Sequence, residues 1–353
     1  MGIVFAILIF SFLIFIHELG HFIAAKAFGV QVNEFSMFMG PAIFKKQKGE
    51  TLYSIRCIPI GGYCAMEGED EDTDSSRSLQ KAAWWKKLII FAAGSFMNLV
   101  AGIVLMTLVF MPVKNTVVPV INSFEEYCTV DGQNGLQVGD EITYVDGEKI
   151  YVFSDFGMLL ALNEGDTHDI TLKRNGETVY LDDFLMEKHA VKGEAGNESY
   201  LYGINFHQRE MTLTMCVKLA WNNCIDTVRI VRLSLQMLLT GNAGIQDMTG
   251  PVGIVQIMSE SAAAASSTAD ALMNMLYFGA FLAINLAVMN MLPIPALDGG
   301  RVVALLLTTA IEAVTKKKIN PKFEGYIHGA GMVLLLALMA FIMFKDIFMI
   351  FKG

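Results

Sequence analysis

The sequence predicts a multi-span α-helical membrane protein with about four transmembrane helices, a membrane-associated β-hairpin and one inserted soluble domain. Of its 353 residues, 54% are hydrophobic and only 17% are charged, with a mean hydropathy of +0.47. Residues 114–210 carry 7 Lys and Arg against 18 Asp and Glu, a charge of -11 in a chain whose net charge is -9. The acidity therefore belongs to one soluble segment between apolar ones. Nothing in this charge distribution indicates nucleic-acid binding.

Four apolar runs are predicted to cross the membrane, and the soluble segment between the second and third of them divides the chain into three domains. The first run covers residues 2–16 and resumes at Phe22, and further spans are predicted at 88–113, 271–297 and about 327–344. Each is long enough to cross a bilayer. The first run lacks a basic start and a small-residue cleavage site, so we predict a retained helix and not a cleaved signal peptide. In chain order, the predicted domains are 1–113, 114–210 and 211–353.

The first span contains the segment His17-Glu18-Leu19-Gly20-His21. On a helix, His17 and His21 lie on one face about one turn apart, where both imidazoles can reach one metal ion. Glu18 lies beside the first ligand and can take a proton from a metal-bound water. Ionisable groups within a span are costly unless paired or metal-bound, which favours a functional site. A histidine pair exposed at the membrane interface is the alternative interpretation.

A third candidate ligand follows the third span. Pro293 and Pro295 break the helix there, and Asp298 comes directly after them. A carboxylate held at a broken helix end can bind a metal. Its alternative is to cap a helix over residues 299–311.

A β-hairpin is predicted over about residues 30–66. Its first strand is followed by a turn at 45–49, and an alternating strand then leads into Ile58-Pro59-Ile60-Gly61-Gly62-Tyr63. Paired glycines permit close approach of another backbone. The pattern fits an ordinary surface hairpin and, equally, an edge strand near the metal that captures an extended substrate.

Between the second and third spans, the sequence predicts a set of short strands with one helix, followed by a longer helix. Residues 134–150 contain a glycine turn, a strand and an Asp-Gly turn, a helix is predicted at 153–162, and strands at 169–174 and 178–181 flank Asn175-Gly176. Residues 211–241 are apolar but interrupted by charges, which is typical of a helix along the membrane surface. The five cysteines form no CxxC pair and are interpreted as small buried or interfacial residues.

Basic residues predict the orientation. Nine Lys and Arg lie between Lys26 and Lys87 and five between Arg301 and Lys322. By the positive-inside rule both loops are cytoplasmic, and the soluble domain and both termini are extracytoplasmic. His17, His21 and Asp298 then all fall towards the cytoplasmic ends of their helices.

The chain resembles the site-2 protease family of intramembrane zinc metalloproteases, and within it the single-PDZ RseP/RasP group. The resemblance spans nearly the whole length. It is carried by these motifs: the HELGH segment, residues 58–63, Gly94-Ser95-Phe96-Met97-Asn98, a PDZ-like Gly135-Leu136-Gln137-Val138-Gly139-Asp140 run, Gly250-Pro251-Val252-Gly253, and the stretch from Asn290 to Leu297-Asp298-Gly299. One departure is Arg301, where many relatives have His.

The resemblance implies a site and a cofactor. His17, His21 and Asp298 are the implied Zn²⁺ ligands and Glu18 the catalytic base. Asn290 is implied to position substrate, with Asn98 as a further candidate. For Asn98 the alternative is a structural hydrogen bond to a neighbouring helix. We also expect substrate contacts at Ile58, Gly61 and Gly62.

The resemblance further implies a role and a location. The expected protein lies in the bacterial cytoplasmic membrane, in contact with the lipid bilayer. It cleaves single-span membrane proteins, such as anti-sigma factors already trimmed outside the membrane and signal-peptide remnants, in signal transduction. Two alternatives are a non-catalytic membrane scaffold that presents a PDZ domain and a zinc-binding transporter. The transporter is disfavoured because paired inverted halves are absent from the sequence pattern.

Overall fold

The computed structural model describes residues 2–69, 73–132, 135–163, 165–192, 198–241, 244, 250–316 and 321–352. The helices are α1 Gly2–Ala27, α2 Trp84–Phe110, α3 Ser154–Leu162, α4 Leu213–Thr240, α5 Pro251–Ala263, α6 Thr268–Asn290, α7 Asp298–Thr315 and α8 Pro321–Lys352. The strands are β1 Val32–Lys48, β2 Thr51–Met66, β3 Asn115–Phe124, β4 Glu141–Val145, β5 Glu148–Lys149, β6 Thr167–Arg174, β7 Glu177–Leu185, β8 His189–Lys192, β9 Glu198–Leu201 and β10 Ile204–Glu210.

Among the described residues, four helices are long and apolar enough to cross a membrane. They are Val4–Ala27, Trp84–Phe110, Thr268–Asn290 and Gly325–Met349. About 20 apolar residues span a bilayer, and each of these helices exceeds that length. The four predicted spans are confirmed as helices, and the protein is an integral membrane protein.

Two features differ from the prediction, the end of α6 and the presence of α5, and a third agrees with it. Helix α6 ends at Asn290 and not at residue 297, because the two prolines that follow cannot continue a helix. Helix α5 was not predicted; it begins at Pro251, a residue suited to a first helical position. The helix expected over 211–241 is present as α4 and is not among the four candidate spans. The predicted basic residues Lys317 and Lys318 lie outside the described residues.

The chain forms two compact units, residues 1–109 with 227–353 and residues 110–226. The first contains the candidate spans and the predicted hairpin. In it, α1 packs against α5 and α6 around a buried core of Ala6, Leu13, Met258, Leu282 and Ala283.

The predicted hairpin is present, and each of its two long strands folds back on itself. Residues 34–37 of β1 pair both with residues 62–65 and with residues 52–55 of β2, which pair in turn with residues 44–47 of β1. The result is four segments side by side. The bends contain Gly40 and Gly61, which have φ values of 84° and 80°, a conformation that favours glycine.

The hairpin sheet packs along α1. Phe35 lies against the rings of Phe15 and Phe22, and a Cβ placed on Gly62 would lie 3.5 Å from Glu18 Cγ. At the end of α1, Lys26 Nζ lies 2.5 Å from Oε1 of Glu50, in the turn between the two strands. The inner segment, residues 62–66, therefore runs beside the His-Glu motif.

The second unit has a sheet of strand order β10-β3-β4-β6-β7, with β5 paired to β4, and a separate β8-β9 pair. Helix α3 covers a core that contains Ile142, Leu160, Ile170 and Leu172. The strands and helix predicted between residues 141 and 181 are confirmed; Asn134 of the predicted glycine turn lies outside the described residues.

Candidate metal centre

The three predicted ligands, which come from opposite ends of the sequence, meet in the first unit. Nε2 of His17 and Nε2 of His21 lie 3.2 and 3.4 Å from Oδ2 of Asp298, and the two Nε2 atoms are 3.3 Å apart. The three residues form a group of potential metal ligands. His21 is only 8% exposed, so the alternative of a histidine pair exposed at the interface is wrong.

These distances suit zinc. Zinc binds histidine nitrogen and carboxylate oxygen at about 2.0–2.2 Å, so two ligands in a tetrahedral site stand about 3.3–3.5 Å apart. Oδ2 of Asp298 is buried and accepts no hydrogen bond in the described structure. A buried carboxylate oxygen facing two imidazole nitrogens is a donor set that a cation completes.

Asp298 is the first residue of α7, and the residue that precedes the helix is Leu297. The alternative role of Asp298 as a helix N-cap is therefore wrong. The loop that carries it, residues 291–297, replaces the helix broken at Pro293 and Pro295. A Cβ on Gly299 or Gly300 would overlap the backbone of that loop, so the glycines allow the loop to fold tightly against the start of α7.

Hydrogen bonds at Nδ1 orient both imidazoles. Nδ1 of His21 lies 2.7 Å from the carbonyl oxygen of Ile90, so Nδ1–H donates and Nε2 keeps its lone pair for a metal. Nδ1 of His17 lies 3.4 Å from the side-chain amide of Asn98, whose Oδ1 atom has no partner. With a metal on Nε2 the proton of His17 lies on Nδ1, and the side-chain amide of Asn98 carries an oxygen that can accept it.

Close packing of α1 on α2 leaves room for the imidazoles. A Cβ on Gly94 would overlap Nε2 of His21 and lie 2.7 Å from Cε1 of His17. A Cβ on Gly20 would overlap the carbonyl of Ala93. The absence of side chains at these two positions is what permits the crossing. In the sequence, Gly94 was noted only as part of the motif that ends at Asn98; its place against the ligands depends on the helix crossing.

The three candidate ligands face a cavity of about 630 Å³, within the usual range for binding pockets. Glu18 and Asn290, the predicted base and substrate-positioning residue, also line it. The other lining residues are Gly62, Tyr63, Cys64, Ala65, Met66, Glu69, Ala296, Leu297, Arg301 and Met332. Arg301, noted in the sequence only as a departure from relatives, pairs with Glu69, another lining residue of this cavity.

The predicted substrate residues divide into two groups. Asn290 and Gly62 line the cavity, whereas Ile58, Gly61 and Asn98 are not among its lining residues. Ile58 lies opposite Met39 in the sheet. Asn98 is only 1% exposed and lies against His17, a position that suits orientation of the imidazole more than contact with a substrate.

The inner segment of the hairpin presents backbone groups to the cavity. Glu67 N–H donates to the carbonyl of Gln31, towards β1, at 2.9 Å. Met66 N–H points the other way and donates to Oε2 of Glu69, a cavity residue, at 3.3 Å. Because successive N–H groups of a strand alternate in direction, those of Cys64 and Gly62 also point away from β1. No other described strand pairs with this side.

Comparison with known proteins decides the family. The model of Peptidase family M50 matches residues 5–338. The chain belongs to peptidase family M50. A protein of Clostridium perfringens whose name describes it as a zinc metalloprotease is 35% identical over 352 residues, covering 98% of each chain.

Two further relatives are also similar to this chain over nearly its whole length. A similarly named protein of Clostridium acetobutylicum is 34% identical over 98% of this chain and 97% of its own. The regulator of sigma-W protease RasP of Bacillus subtilis is 26% identical over 97% of each chain. Membership of family M50 confirms the resemblance stated from the sequence motifs.

Proposed function

We propose that this protein is a zinc metalloprotease that hydrolyses peptide bonds within or near the transmembrane segment of single-span membrane proteins. Membership of family M50, together with relatives named as zinc metalloproteases, makes it a zinc-dependent peptidase. The observation that carries the finer proposal is the triangle of His17, His21 and Asp298, which lies beside Glu18 in a cavity lined by a strand edge that no other described strand pairs with.

Three side chains would hold the metal. His17 and His21 would hold Zn²⁺ through Nε2 and Asp298 through Oδ2. When bound, zinc would supply a water with a pKa of about 7 and a Lewis acid for the scissile carbonyl. Three protein ligands with an open fourth position are typical of catalytic zinc sites and not of structural ones.

Proton transfer is assigned to Glu18. Its carboxylate lines the cavity next to the ligands. It takes the proton from the attacking water and delivers it to the nitrogen of the leaving amine. We assign to the side-chain amide of Asn290, at the end of α6 in the same cavity, the donation of a hydrogen bond to the developing oxyanion.

The hairpin gives a way to hold the substrate. A helical segment hides its carbonyls in its own hydrogen bonds and must be extended before it is cut. The outward-facing backbone groups of Gly62 and Cys64 can pair with an extended substrate strand. The opposite edge of the sheet carries Lys45, Lys46 and Lys48, and lysines on an edge strand disfavour pairing with another chain. We assign strand addition to the inner edge only.

The proposed substrates and orientation follow the sequence. RasP of Bacillus subtilis is named a regulator of sigma-W protease, which favours trimmed anti-sigma factors as one substrate class for this chain, with signal-peptide remnants as another. The basic loops favour a cytoplasmic location for the hairpin turn and an extracytoplasmic location for residues 110–226, whose β-rich fold we propose to be a PDZ domain that binds extended peptides.

Glu18→Gln tests the proposed reaction. Gln keeps the size of the side chain and leaves all three ligands in place, but it cannot accept the proton. We expect the purified variant to bind zinc as wild type does and to lose cleavage of a single-span protein reconstituted with it in phospholipid vesicles. Asp298→Ala should lose both zinc and cleavage. Proteolysis at the wild-type rate by Glu18→Gln would contradict the assignment of Glu18 as the base. The same result would still exclude the alternative of a non-catalytic scaffold.

A further inference from the structure

Helix α8 contacts the loop that delivers Asp298, although most of the helix is exposed. Only 6% of its membrane-spanning window is buried within the described protein. Its contacts with the rest of the chain are therefore few and specific. One of them involves His328: the backbone N–H of Ala296 donates to Nδ1 of this imidazole, at an N···N distance of 3.1 Å.

The contacted loop has an unusual backbone. Ala296 has a φ of 79°, in the left-handed region that side chains other than glycine rarely adopt. Its neighbour Leu297 bonds within the loop, to the carbonyl of Ile294 at 3.2 Å. The N–H of Ala296 instead bonds to α8. Such conformations persist where surrounding contacts hold them in place, and Ala296 is only two residues before Asp298.

Packing beside His328 brings the helix backbone against the same loop. A Cβ on Gly331 would lie 2.9 Å from both the carbonyl carbon and the oxygen of Pro295, so only glycine fits at this crossing. The next residue, Met332, lines the cavity of the candidate metal centre. One turn of α8 thus supports the loop through a hydrogen bond and through a close backbone contact.

A second polar contact fixes the far end of the helix. Oδ2 of Asp346 accepts hydrogen bonds from the backbone N–H groups of Gly250 and Gly253 at 2.9 and 3.0 Å, at the start of α5. His328 and Asp346 are eighteen residues apart, or about 27 Å along a helix. Helix α8 is therefore tied at two points, and the end that carries His328 is set against the loop of Asp298.

We infer that His328 is a positioning residue for the metal centre: its Nδ1 atom fixes the backbone of Ala296 and thereby the place of the Asp298 carboxylate. The backbone N–H can only donate, so Nδ1 accepts and the imidazole proton is on Nε2. Partners that orient a metal ligand without touching the metal typically change metal affinity by about 10–100-fold when they are removed. This inference rests on the zinc site assigned under the proposed function.

Two isosteric amides distinguish positioning from general packing. In His328→Asn the side-chain oxygen can occupy the place of Nδ1 and accept the same hydrogen bond. In His328→Gln the oxygen lies one bond further along, near the place of Nε2, and cannot do so. Both variants are polar and similar in size to His. Tyr326→Phe, on an exposed residue of the same helix, is the matched control.

The experiment measures zinc affinity of the full-length, metal-stripped protein by competition with a chromogenic chelator, and the thermal unfolding of the same metal-free samples. We expect wild type, Tyr326→Phe and His328→Asn to bind alike and His328→Gln to bind about 10-fold more weakly, with similar unfolding temperatures for all metal-free forms. Equal zinc affinity of the Asn and Gln variants would overturn the inference alone. A wild-type protein that binds no zinc would overturn the proposed function and this inference together.

Discussion

At the scale of single residues, the candidate metal centre depends on a glycine, because any side chain at that position would collide with the ligands. Gly94 of α2 faces His17 and His21, and an added Cβ would overlap one imidazole and lie within 3 Å of the other. Both rings are held at Nδ1, by Asn98 and by the carbonyl of Ile90. They cannot rotate away without losing those bonds, so the space at residue 94 is part of the ligand geometry.

Gly94→Ala is therefore expected to weaken zinc binding by at least about 10-fold, since ligands displaced by more than about 0.2 Å no longer match the metal. Zinc affinity is measured by chelator competition. Gly102→Ala is the matched control, because its Cβ would crowd Ile284 of α6 and not the imidazoles. Normal zinc affinity in Gly94→Ala, or an equal loss in Gly102→Ala, would contradict this account of the helix crossing.

Among the helices and strands, the inner segment of the hairpin sheet is the element that distinguishes this site from a bare zinc motif. Its Tyr63 N–H points towards β1, whereas the N–H of Cys64 points away from β1, as the bonds of Glu67 and Met66 indicate. A proline at residue 64 thus removes a donor available to a substrate without removing one from the sheet.

Cys64→Pro is expected to lower kcat/KM for a single-span substrate by about 10-fold, the effect of one hydrogen bond of about 1–3 kcal/mol, and to keep zinc. Cys64→Ala shortens the same side chain but retains the N–H, and it should cleave nearly as well as wild type. The comparison requires the zinc content of each variant, because a variant without metal says nothing about strand addition. Equal kcat/KM in the Pro and Ala variants would exclude pairing at this donor.

Ion pairs connect Glu50, in the turn of the hairpin, to Lys26 at the end of α1 and to Arg77. Glu50 pairs with Arg77 and with Lys26, and these hydrogen bonds, that of Arg77 first, lower the pKa of Glu50 from 4.5 to about 2. A carboxyl whose pKa is depressed by folding stabilises the fold above its unfolded pKa. That contribution is lost as the pH falls from about 4.5 through about 2.

Glu50→Gln is therefore expected to lower the unfolding temperature of the detergent-solubilised protein at pH 7, with a difference from wild type that shrinks as the pH falls from 4.5 towards 2. The ion pairs are partly exposed to solvent, so added salt should also reduce the difference at pH 7. Thermal unfolding followed by circular dichroism at several pH values measures both effects. A difference that is the same at pH 7 and pH 2.5 would show that the charge of Glu50 is not its cause.

For the whole molecule, the proposed zinc ion links two distant parts of the chain. His17 and His21 lie on α1 and Asp298 at the start of α7, and a metal held by both stabilises only the folded state. The gain follows the ratio of free zinc to Kd and reaches about 4 kcal/mol at 1,000 times Kd.

Removal of zinc with a chelator is expected to lower the unfolding temperature of wild type, and added zinc should restore it. Asp298→Ala should unfold at one temperature with or without the metal. The Glu18→Gln variant is the control, because it keeps all three ligands and should respond to zinc as wild type does. A zinc response retained in Asp298→Ala would show that the stabilising metal is bound elsewhere.

The sequence alone determined which segments cross the membrane and which residues carry chemistry. Spans can be read locally, because about 20 consecutive apolar residues need no information about their neighbours. The strands of the β-rich unit were predicted where Asn-Gly and Asp-Gly turns mark their ends. The HELGH segment and Asp298 were selected because charged and polar groups are rare and costly beside such spans.

Only the tertiary structure decided how these residues meet. It brought Asp298 to within 3.4 Å of both imidazoles, placed Gly94 against them, folded each hairpin strand in two, and set His328 on the loop before Asp298. Each of these contacts joins residues far apart in sequence, and no local periodicity encodes which helix faces cross or which strand edge is left unpaired. The physical reason is that local propensities favour several arrangements of the helices and strands equally, and side-chain packing then selects one of them.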